Sequence, residues 1–315
     1  MTVLVRDLRP GDPRDAEGVV GVRRSCLPFM ISTVPALAAE LDGHPDRRHR
    51  VLLTEEDGVV TGTAQVGIAH DADEPGQGYV NAYVLPGHRS RGAGELLLRA
   101  AEEHLEAVGA RTAFAWALDE PAGHGFALRH GYAASRSAHF LRRSLTGPEL
   151  PDPGPVPAGV ELLPSAAFAD DPRPVYLLDA AVSVDEPGDI GVRLENAGYE
   201  DWLRQVWGNP TMDHELTTVA VVDGVPAAFS ALVTDGEGRC SSAMTGTRRE
   251  FRGRGLAKLT KSVALAKARA AGCTEAFTGN DTGNGPMLAV NSWFGYEVCA
   301  TEVRYAKSLA AAGPR

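Results

Sequence analysis

The sequence repeats itself once along its length, and this repeat limits the possible folds more than any other feature. Asp57–Val59 recurs as Asp223–Val225, and the arginine- and glycine-rich segment Arg89–Gly94 recurs as Arg252–Ala257. The matching segments keep the same order and a nearly constant separation. A repeat unit of this length is typical of tandem domains, because solenoid repeats span only about 20–50 residues. We therefore predict two domains of similar fold.

A segment rich in proline and glycine separates the two copies. Residues 146–158 read TGPELPDPGPVPA and have no apolar periodicity, which is typical of an extended linker between domains. The chain of 315 residues also has the length of about two domains. We predict an N-terminal domain at 1–145, a linker at 146–158, a C-terminal domain at 159–309 and a tail at 310–315.

The composition argues against several classes of protein. The net charge of −10 disfavours a nucleic-acid partner and an anionic membrane surface, because both attract basic proteins. The four cysteines form no Cys-x-x-Cys pair and the histidines show no metal-ligand spacing, so we expect reduced thiols and no metal site. Charged residues Arg6, Asp7 and Arg9, and the lack of an apolar run of about 20 residues, predict a cytoplasmic protein without a membrane span. We expect a monomer or a homodimer.

The same order of strands and helices is predicted in each copy, and the fold class is α/β (α+β). Two strands flank an Asp-Gly turn, a third strand leads into the arginine/glycine loop, and a helix and a further strand follow. The helix stripes are apolar at helical spacing, which predicts that they pack on the sheet. The elements of the first copy are predicted at Val51–Thr54, Thr61–Ile68, Tyr79–Leu85, Glu95–Val108 and Thr112–Ala117. Those of the second copy are predicted at Thr217–Val222, Ala227–Val233, Cys240–Thr247, Leu256–Ala271 and Glu275–Thr278.

The two arginine/glycine loops are predicted to be anion-binding sites. Each loop connects a strand to the first turn of a helix, where backbone N–H groups lack internal partners and the helix dipole is positive. Glycines let a ligand approach the backbone and arginines add charged donors, so a pyrophosphate suits such a loop. Neither loop is a Walker A motif or a Gly-x-Gly-x-x-Gly dinucleotide loop. The alternative is a plain glycine-rich turn with solvated arginines, which the repetition of the loop disfavours.

Both loops resemble the acetyl-CoA pyrophosphate loop of the GNAT N-acetyltransferase superfamily, Arg/Gln-x-x-Gly-x-Gly/Ala. Asn284–Tyr296 is similar to the second CoA-contacting segment of that family, of which the first copy retains only Phe126–Tyr132. The tandem layout resembles the mycothiol synthase type of acetyltransferase. The resemblance implies two tandem GNAT-like domains, each with a mixed, mostly antiparallel sheet, flanking helices and a splayed central strand pair.

The resemblance also implies an acetyl-CoA-dependent N-acetyltransferase that transfers an acetyl or other acyl group to a primary amine by direct attack on the thioester. Backbone amides of a splayed strand hold the carbonyl oxygen in this family. The acidic charge of the chain favours a small cationic amine as the acceptor. The implied acyl-CoA contacts are Ala82, Tyr83, Val84, Arg89, Ser90, Arg91, Gly92, Ala93 and Gly94 of the first copy and Thr245, Gly246, Thr247, Arg252, Gly253, Arg254, Gly255, Leu256, Ala257, Asn284 and Asn291 of the second.

The sequence indicates the catalytic groups less directly. Many relatives carry a tyrosine general acid at the position that is Ala127 in the first copy and Asn291 in the second. Asn291 remains a candidate catalytic residue, although an amide cannot donate a proton as a phenol does. Asp235 and Glu237, which lie between two predicted strands, are the candidate bases, with a solvated loop carboxylate as the alternative interpretation of each. The other loop residues left open as bases are Asp213, His214 and Glu215 in the second copy and Asp71, Asp73 and Glu74 in the first.

The two copies differ beyond the loop helix. Only the second copy keeps Asn284, Met287 and Asn291, whereas the first has Pro121–Gly125 in the corresponding place. We therefore predict that the C-terminal domain is catalytic and that the N-terminal domain is degenerate. Two alternatives stay open, namely an enzyme that acylates a protein or peptide N-terminus and a non-catalytic acyl-CoA-binding sensor.

Overall fold

The computed structural model describes residues 3–72, 74–185 and 194–309, so the predicted tail at 310–315 lies outside the described residues. The strands are β1 (Leu4–Asp7), β2 (Arg50–Glu56), β3 (Val59–Ile68), β4 (Gln77–Val84), β5 (Thr112–Leu118), β6 (Ala133–Ser144), β7 (Val160–Pro164), β8 (Thr218–Val222), β9 (Val225–Thr234), β10 (Arg239–Thr247), β11 (Glu275–Asp281) and β12 (Glu297–Ser308). The helices are α1 (Pro13–Cys26), α2 (Val34–Leu41), α3 (Ala93–Ala107), α4 (Pro121–Arg129), α5 (Arg173–Ser183), α6 (Leu194–Trp202), α7 (Leu256–Ala270) and α8 (Gly285–Trp293).

The chain divides into two compact units. Among the described residues, the N-terminal unit contains 3–138 and 300–309, and the C-terminal unit contains 139–185 and 194–299. Both units have a mixed sheet with helices, as the fold prediction expected.

The N-terminal unit has the strand order β1-β2-β3-β4-β5-β12. Neighbouring strands run antiparallel except β4 and β5, which run parallel. Helix α3 packs on β3 and β4, and its side chains Leu97, Ala101 and Leu105 are fully buried in the core. The apolar stripe of this helix therefore attaches the arginine/glycine loop to the middle of the sheet.

The C-terminal unit has the strand order β6-β11-β10-β9-β8-β7. Strands β7 to β10 pair antiparallel, and β10 and β11 pair parallel. Helix α7 packs on β8 and β9, where Leu256 and Leu259 contact buried side chains of the sheet. The second arginine/glycine loop is thus held at the end of β10 by the same arrangement.

Each unit takes its last strand from the other half of the chain. Strand β12 pairs antiparallel with β5 and brings Val303 and Tyr305 into the core of the N-terminal unit. Strand β6 lies beside β11, and Leu141 and Leu145 belong to the core of the C-terminal unit. The predicted spacer at 146–158 contains no helix or strand, but the compact units divide within β6. The sequence repeat could not reveal this exchange, because it shows which segments correspond and not which sheet edge a strand joins.

The predicted strands and helices agree with the structure to within a few residues at each end. The Asp-Gly turns have positive φ at both residues, 50° and 81° at Asp57 and Gly58 and 49° and 83° at Asp223 and Gly224. Two successive residues of positive φ are the conformation of the two-residue hairpin turn that this dipeptide favours. The predicted mixed, mostly antiparallel fold is confirmed. Among the described residues, no helix has both the length and the apolar character needed to cross a membrane.

Candidate active site

A cleft opens in the C-terminal unit where β10 and β11 separate. The two strands pair from Arg239 and Glu275 as far as Ser242 and Thr278, and β10 then has a bulge between Ser242 and Met244. Beyond the bulge β10 continues to pair with β9. The backbone groups of its last residues that point away from β9 therefore face the gap.

A cavity of about 540 Å³ occupies this gap. Its walls are the end of β10, the loop and first turn of α7, the end of β11 and the start of α8, with Val182 and Asp185 at one side. Of the predicted acyl-CoA contacts, the residues that line the cavity are Thr245, Gly246, Thr247, Arg252, Gly253, Gly255, Leu256, Ala257 and Asn284. Arg254 is not among the lining residues, and its guanidinium lies 5.9 Å from the ring centre of Phe251.

The first turn of α7 has the shape of an anion cradle. Gly253 and Gly255 both have a φ of 76°, and Gly255 is the N-cap of the helix. A Cβ atom added at either glycine would meet no other atom within 4 Å, so the space in front of the helix amides is open. Arg252 donates from Nε to the backbone oxygen of Thr247 at 3.0 Å, which holds its guanidinium beside the loop. These residues fit a pyrophosphate group.

Asp185 neutralises part of this positive charge. Its carboxylate accepts from Arg249 Nε at 3.0 Å and also pairs with Arg252. These two guanidinium groups hold the pKa of Asp185 well below its usual range. Asp185 lines the cavity, so it stands near the position that an anionic ligand of the loop would take.

A chain of three polar side chains runs behind the cavity. Lys261 of α7 is fully buried and donates from Nζ to Oδ1 of Asn291 at 2.6 Å. Asn291 of α8, also fully buried, donates from Nδ2 to Oδ1 of Asn280 at 2.5 Å. Asn280 of β11 is the member of this chain that lines the cavity. Asn280 therefore separates Asn291 from the cavity. The predicted catalytic role requires a side chain that faces the cavity, and Asn291 is not among the residues that line it.

Comparison with known proteins shows which families and folds this chain resembles. Residues 22–132 match the family model described as Acetyltransferase (GNAT) family. A mycothiol acetyltransferase of Kineococcus radiotolerans is 29% identical over 84% of this chain and 82% of its own, and one of Nocardia farcinica is 40% identical over 42% of this chain and 41% of its own. A solved tandem GNAT protein from the clavulanic acid biosynthesis pathway has a TM-score of 0.75 at 20% identity and covers 100% of both chains.

Residues 22–132 thus match the GNAT family, most of the chain is similar in sequence to mycothiol acetyltransferases, and the whole chain is similar in fold to a tandem GNAT protein. The predictions of a tandem GNAT fold and of an acyltransferase are thereby confirmed. The splayed strand pair of a GNAT domain corresponds here to β10 and β11, and the loop before α7 is its arginine/glycine loop.

The predicted GNAT bases lie away from the cavity. Asp235 forms the turn between β9 and β10, where it accepts from the backbone N–H groups of Glu237 and Arg239 and pairs with the Arg239 guanidinium at 2.6 Å. Neither Asp235 nor Glu237 lines the cavity, because the turn is at the opposite end of β10 from Thr247. Asp235 and Glu237 are close to β10 in sequence, but this closeness does not show at which end of β10 the cleft opens.

The other loop residues left open as bases are also placed elsewhere. Asp213 accepts from the backbone N–H groups of Glu215 and Leu216 at 3.1 and 3.0 Å, so it shapes a turn. His214 contacts Ser165 and the backbone oxygen of Trp207. In the first copy, Asp71 and Glu74 lie in the loop between β3 and β4, and Asp73 is outside the described residues.

The N-terminal unit repeats the geometry of the GNAT loop. Gly92 has a φ of 90° and is the N-cap of α3, as Gly255 is of α7. Arg89 donates from Nε to the backbone oxygen of Val84 at 3.1 Å, as Arg252 does to Thr247. Strand β4 corresponds to β10 of the C-terminal unit and ends with Ala82, Tyr83 and Val84. The loop and the first turn of α3 are completed by Ser90, Arg91, Ala93 and Gly94.

In the N-terminal unit, several side chains lie in or beside the gap between β4 and β5. Strands β4 and β5 pair only from Gln77 to Tyr79, and beyond this point Asn81 Oδ1 accepts from the backbone N–H of Trp116 at 2.9 Å and bridges the gap. A Cβ added at Gly94 would lie 3.4 Å from the Phe126 ring, so this ring covers the start of α3. The buried carboxylate of Glu56 lies 2.9 Å from His88 and 3.5 Å from Arg91. The negative charge of Glu56 would repel an anionic ligand bound at this loop.

Several residues that line the cavity have no signal in the sequence repeat. Ser242, Ala243 and Met244 form the bulge, and Val182 and Asp185 come from the end of α5 and the residues that follow it, far from the loop in sequence. The bulge has no sequence signature, and Val182 and Asp185 reach the cavity only through tertiary folding. Lys258 and Asn280, in contrast, lie within a few residues of the loop and of Asn284, so local spacing can indicate them.

We expect Asp185→Asn to strengthen binding of acetyl-CoA. The substitution frees Arg252 and removes a negative charge beside the loop that is predicted to bind the pyrophosphate. An exposed ion pair is worth up to about 1 kcal/mol, or about fivefold in affinity. Calorimetric titration at low and at physiological salt measures the gain, which should shrink as salt rises. Asp152→Asn, in the spacer, is the control for net charge. Weaker binding by Asp185→Asn would show instead that the carboxylate helps to hold the ligand.

The stability of the protein should depend on the ionisation of Lys261. Burial lowers the pKa of this amine from 10.5 to about 7, with Cys240 of β10 and the rings of Phe294 and Tyr296 nearby. Between these two pH values the unfolded chain binds a proton that the folded chain does not, so the free energy of unfolding rises with pH, at about 1.4 kcal/mol per pH unit.

Replacing Lys261 by Met should remove this slope. Urea denaturation from pH 7 to pH 9 is expected to show the wild type gaining about 2–3 kcal/mol relative to Lys261→Met. Glu302, whose burial raises its carboxyl pKa to about 7, is present in both proteins and cancels in the difference. Parallel curves for the two proteins would mean that Lys261 titrates at its ordinary pKa.

Proposed function

We propose that this GNAT protein is an acetyl-CoA-dependent N-acetyltransferase that acts on the primary amine of a small molecule, and that the C-terminal unit holds its active site. The observation that carries the proposal is the cavity between β10 and β11. At one end of this cavity lies the N-terminus of α7, with its positive dipole and Arg252. At the other end lie backbone groups of β10 that no longer pair with β11. An acyl-CoA carries its pyrophosphate and its thioester in the same order. The relatives named mycothiol acetyltransferase support an acetyl group and a small-molecule acceptor.

The residues of the cavity suit the parts of this reaction. The backbone N–H groups of the first turn of α7, together with Arg252, bind the pyrophosphate. Backbone N–H groups at the end of β10 point at the acyl oxygen and stabilise the negative charge that develops on it. The bound acyl-CoA supplies the activated carbonyl carbon to which the amine nitrogen bonds as the carbon–sulfur bond breaks.

Proton transfer needs little help from the described residues. Among those that line the cavity, Asp185 is the one carboxylate, and it is paired with two arginines. The attacking amine therefore enters neutral and releases its proton to water. The thiol of CoA has a pKa comparable to the value of about 8.5 for free cysteine, so it leaves as a thiolate without a general acid. The absence of a tyrosine at the Asn291 position is compatible with this route.

The proposed division of labour follows from the contents of the two clefts. Asn81, Phe126 and Glu56 lie in or beside the cleft of the N-terminal unit, whereas the loop and first turn of α7 line a cavity in the C-terminal unit. Arg89 and Gly92 keep the loop shape in the N-terminal unit, but the Asn81 bridge and the Phe126 ring narrow the cleft beside it. We therefore assign this loop a structural role.

The experiment that tests the function is thiol release from acetyl-CoA in the presence of a panel of acceptors. The panel contains a polyamine, an aminosugar, a neutral monoamine and a peptide with a free N-terminus. Release with one or more of the small amines, with the acetylated amine identified by mass spectrometry, is the expected result. Release with the peptide alone would assign a peptide N-acetyltransferase. Binding of acetyl-CoA without release by any acceptor would favour a sensor.

A further inference from the structure

The hydrogen bonds of the chain Lys261–Asn291–Asn280 run in one direction in the structure, from the Lys261 amine as first donor to the Asn280 amide as last acceptor. A lysine amine offers N–H donors to Asn291, so the Asn291 atom that it contacts at 2.6 Å is the acceptor Oδ1. The other end of the Asn291 amide is then its Nδ2 donor, which contacts Asn280 at 2.5 Å. The Asn280 atom at that contact must be its Oδ1. The Asn280 Nδ2, with its N–H groups, is therefore the end that is left for the cavity.

Packing alone does not explain a lysine at the start of this chain. Lys261 is fully buried between the helix and the sheet, and this burial disfavours its charged form. A hydrocarbon side chain of similar length would fill the same space without that cost. What the amine adds is an N–H donor at the closed end of the chain, and in its protonated form it can only donate.

We propose that Asn280 donates a hydrogen bond to a carbonyl oxygen of the acyl donor in the cavity, and that Lys261 and Asn291 are positioning residues that fix this polarity. The inference rests on the proposed binding of an acyl-CoA. The carbonyl belongs either to an amide of the arm between the pyrophosphate and the sulfur or to the thioester itself. Asn280 stands on β11, across the gap from the end of β10, so both walls of the cleft offer donors to the ligand.

Asn291→Asp inverts the chain without touching the cavity. The new carboxylate keeps Lys261 as a partner, but it cannot donate to Asn280. Asn280 must then rotate so that its Nδ2 donates to the carboxylate and its Oδ1 faces the cavity. We expect the affinity for the acyl donor to fall at least tenfold. Ser292→Asp, which adds the same charge at the next, exposed position of α8, is the matched control and should leave the affinity unchanged.

A double-mutant cycle separates positioning from general damage. Asn280→Leu removes the donor, and we expect a loss of affinity similar to that of Asn291→Asp. In the Asn280→Leu background, Asn291→Asp should cause no further loss, because no donor remains to be inverted. Additive losses would overturn the proposal, since they would mean that the two residues affect binding independently.

Two ligands distinguish an amide carbonyl of the CoA arm from the thioester carbonyl as the acceptor of the Asn280 hydrogen bond. Calorimetric titration is made with CoA and with acetyl-CoA. A loss of affinity for both assigns the bond to an amide of the CoA arm, and a loss for acetyl-CoA alone assigns it to the thioester. If the wild type binds both ligands and the Asn291→Asp and Asn280→Leu variants bind them with unchanged affinity, the proposal is overturned.

Hydrogen exchange in the ligand-free protein tests the direction of the hydrogen bonds independently of acyl-CoA binding. In ¹⁵N-labelled protein, the side-chain NH₂ of Asn291 should exchange slowly with solvent and that of Asn280 quickly. In Asn291→Asp, the NH₂ of Asn280 should become slow. Fast exchange at Asn280 in both proteins would contradict the polarity, whereas failure of the wild type to bind acetyl-CoA would contradict only the proposed function. If Asn291→Asp does not fold, Lys261→Met serves in its place, with Lys267→Met on the same helix as its control, and should make the two NH₂ groups exchange at similar rates.

Discussion

Gly255→Trp is expected to abolish acetyl-CoA binding and turnover, whereas Gly92→Trp should leave both largely intact. Both glycines are helix N-caps of positive φ, and a Cβ at either would meet no atom within 4 Å. The two substitutions therefore impose a similar backbone strain, about 1–2 kcal/mol, on the free protein. They differ in what lies before the helix, since Gly255 lines the open cavity. An indole there takes the space of the pyrophosphate.

The comparison of these two variants measures the division of labour. We expect at least a tenfold difference in kcat/KM, because each lost amide contact to a buried ligand costs about 1–3 kcal/mol and a steric block costs more. Circular dichroism and thermal unfolding of both variants establish that they are folded. The reverse order, with Gly92→Trp inactive and Gly255→Trp active, would place the active site in the N-terminal unit.

Fragments 1–158 and 159–315, expressed separately, are each expected to lack a cooperative unfolding transition. The first fragment loses Val303 and Tyr305 from its core, and the second loses Leu141 and Leu145. Removal of one large buried side chain costs about 2–5 kcal/mol, and a whole domain is stable by only about 5–15 kcal/mol. Each fragment also exposes an unpaired strand edge.

The control for this experiment contains the same two fragments. The full chain is folded first and then cut by a protease within the exposed spacer. Since each unit holds strands from both fragments, the cut chain should stay together on gel filtration and keep its acetyl-CoA binding. Co-expression of the fragments should restore folding. A cooperative transition for either fragment alone would mean that the exchanged strand is dispensable.

Local spacing explains why much of the fold could be predicted from the sequence. The Asp-Gly turns, the apolar stripe of α7 and the glycine at its N-cap are each defined by residues close together in the chain. Conformations such as the positive φ of Gly255 depend on these neighbours and on few others. The repetition of the same signals in both halves made the tandem arrangement and the arginine/glycine loops predictable.

The positions of the candidate catalytic residues depend on contacts that are distant in sequence. Asp235 and Glu237 precede the cleft strand, but the cleft opens at the far end of that strand. Asn291 lies within the motif, but its side chain points toward a buried lysine on another helix. Which way a side chain points depends on the elements packed around it, and no pattern within α8 contains that information.

The sequence by itself determined the two-fold repeat, the order of strands and helices in each copy, and the two loops shaped to receive an anion. Only the tertiary structure decided that the last strands are exchanged, that Asn81 bridges the gap in one unit while a cavity opens in the other, and that Lys261 contacts Asn291. The physical reason is the range of the interactions. Turns, caps and amphipathic stripes involve residues within about one or two helical turns, whereas strand pairing, cavity filling and buried hydrogen bonds join residues that are distant in the chain.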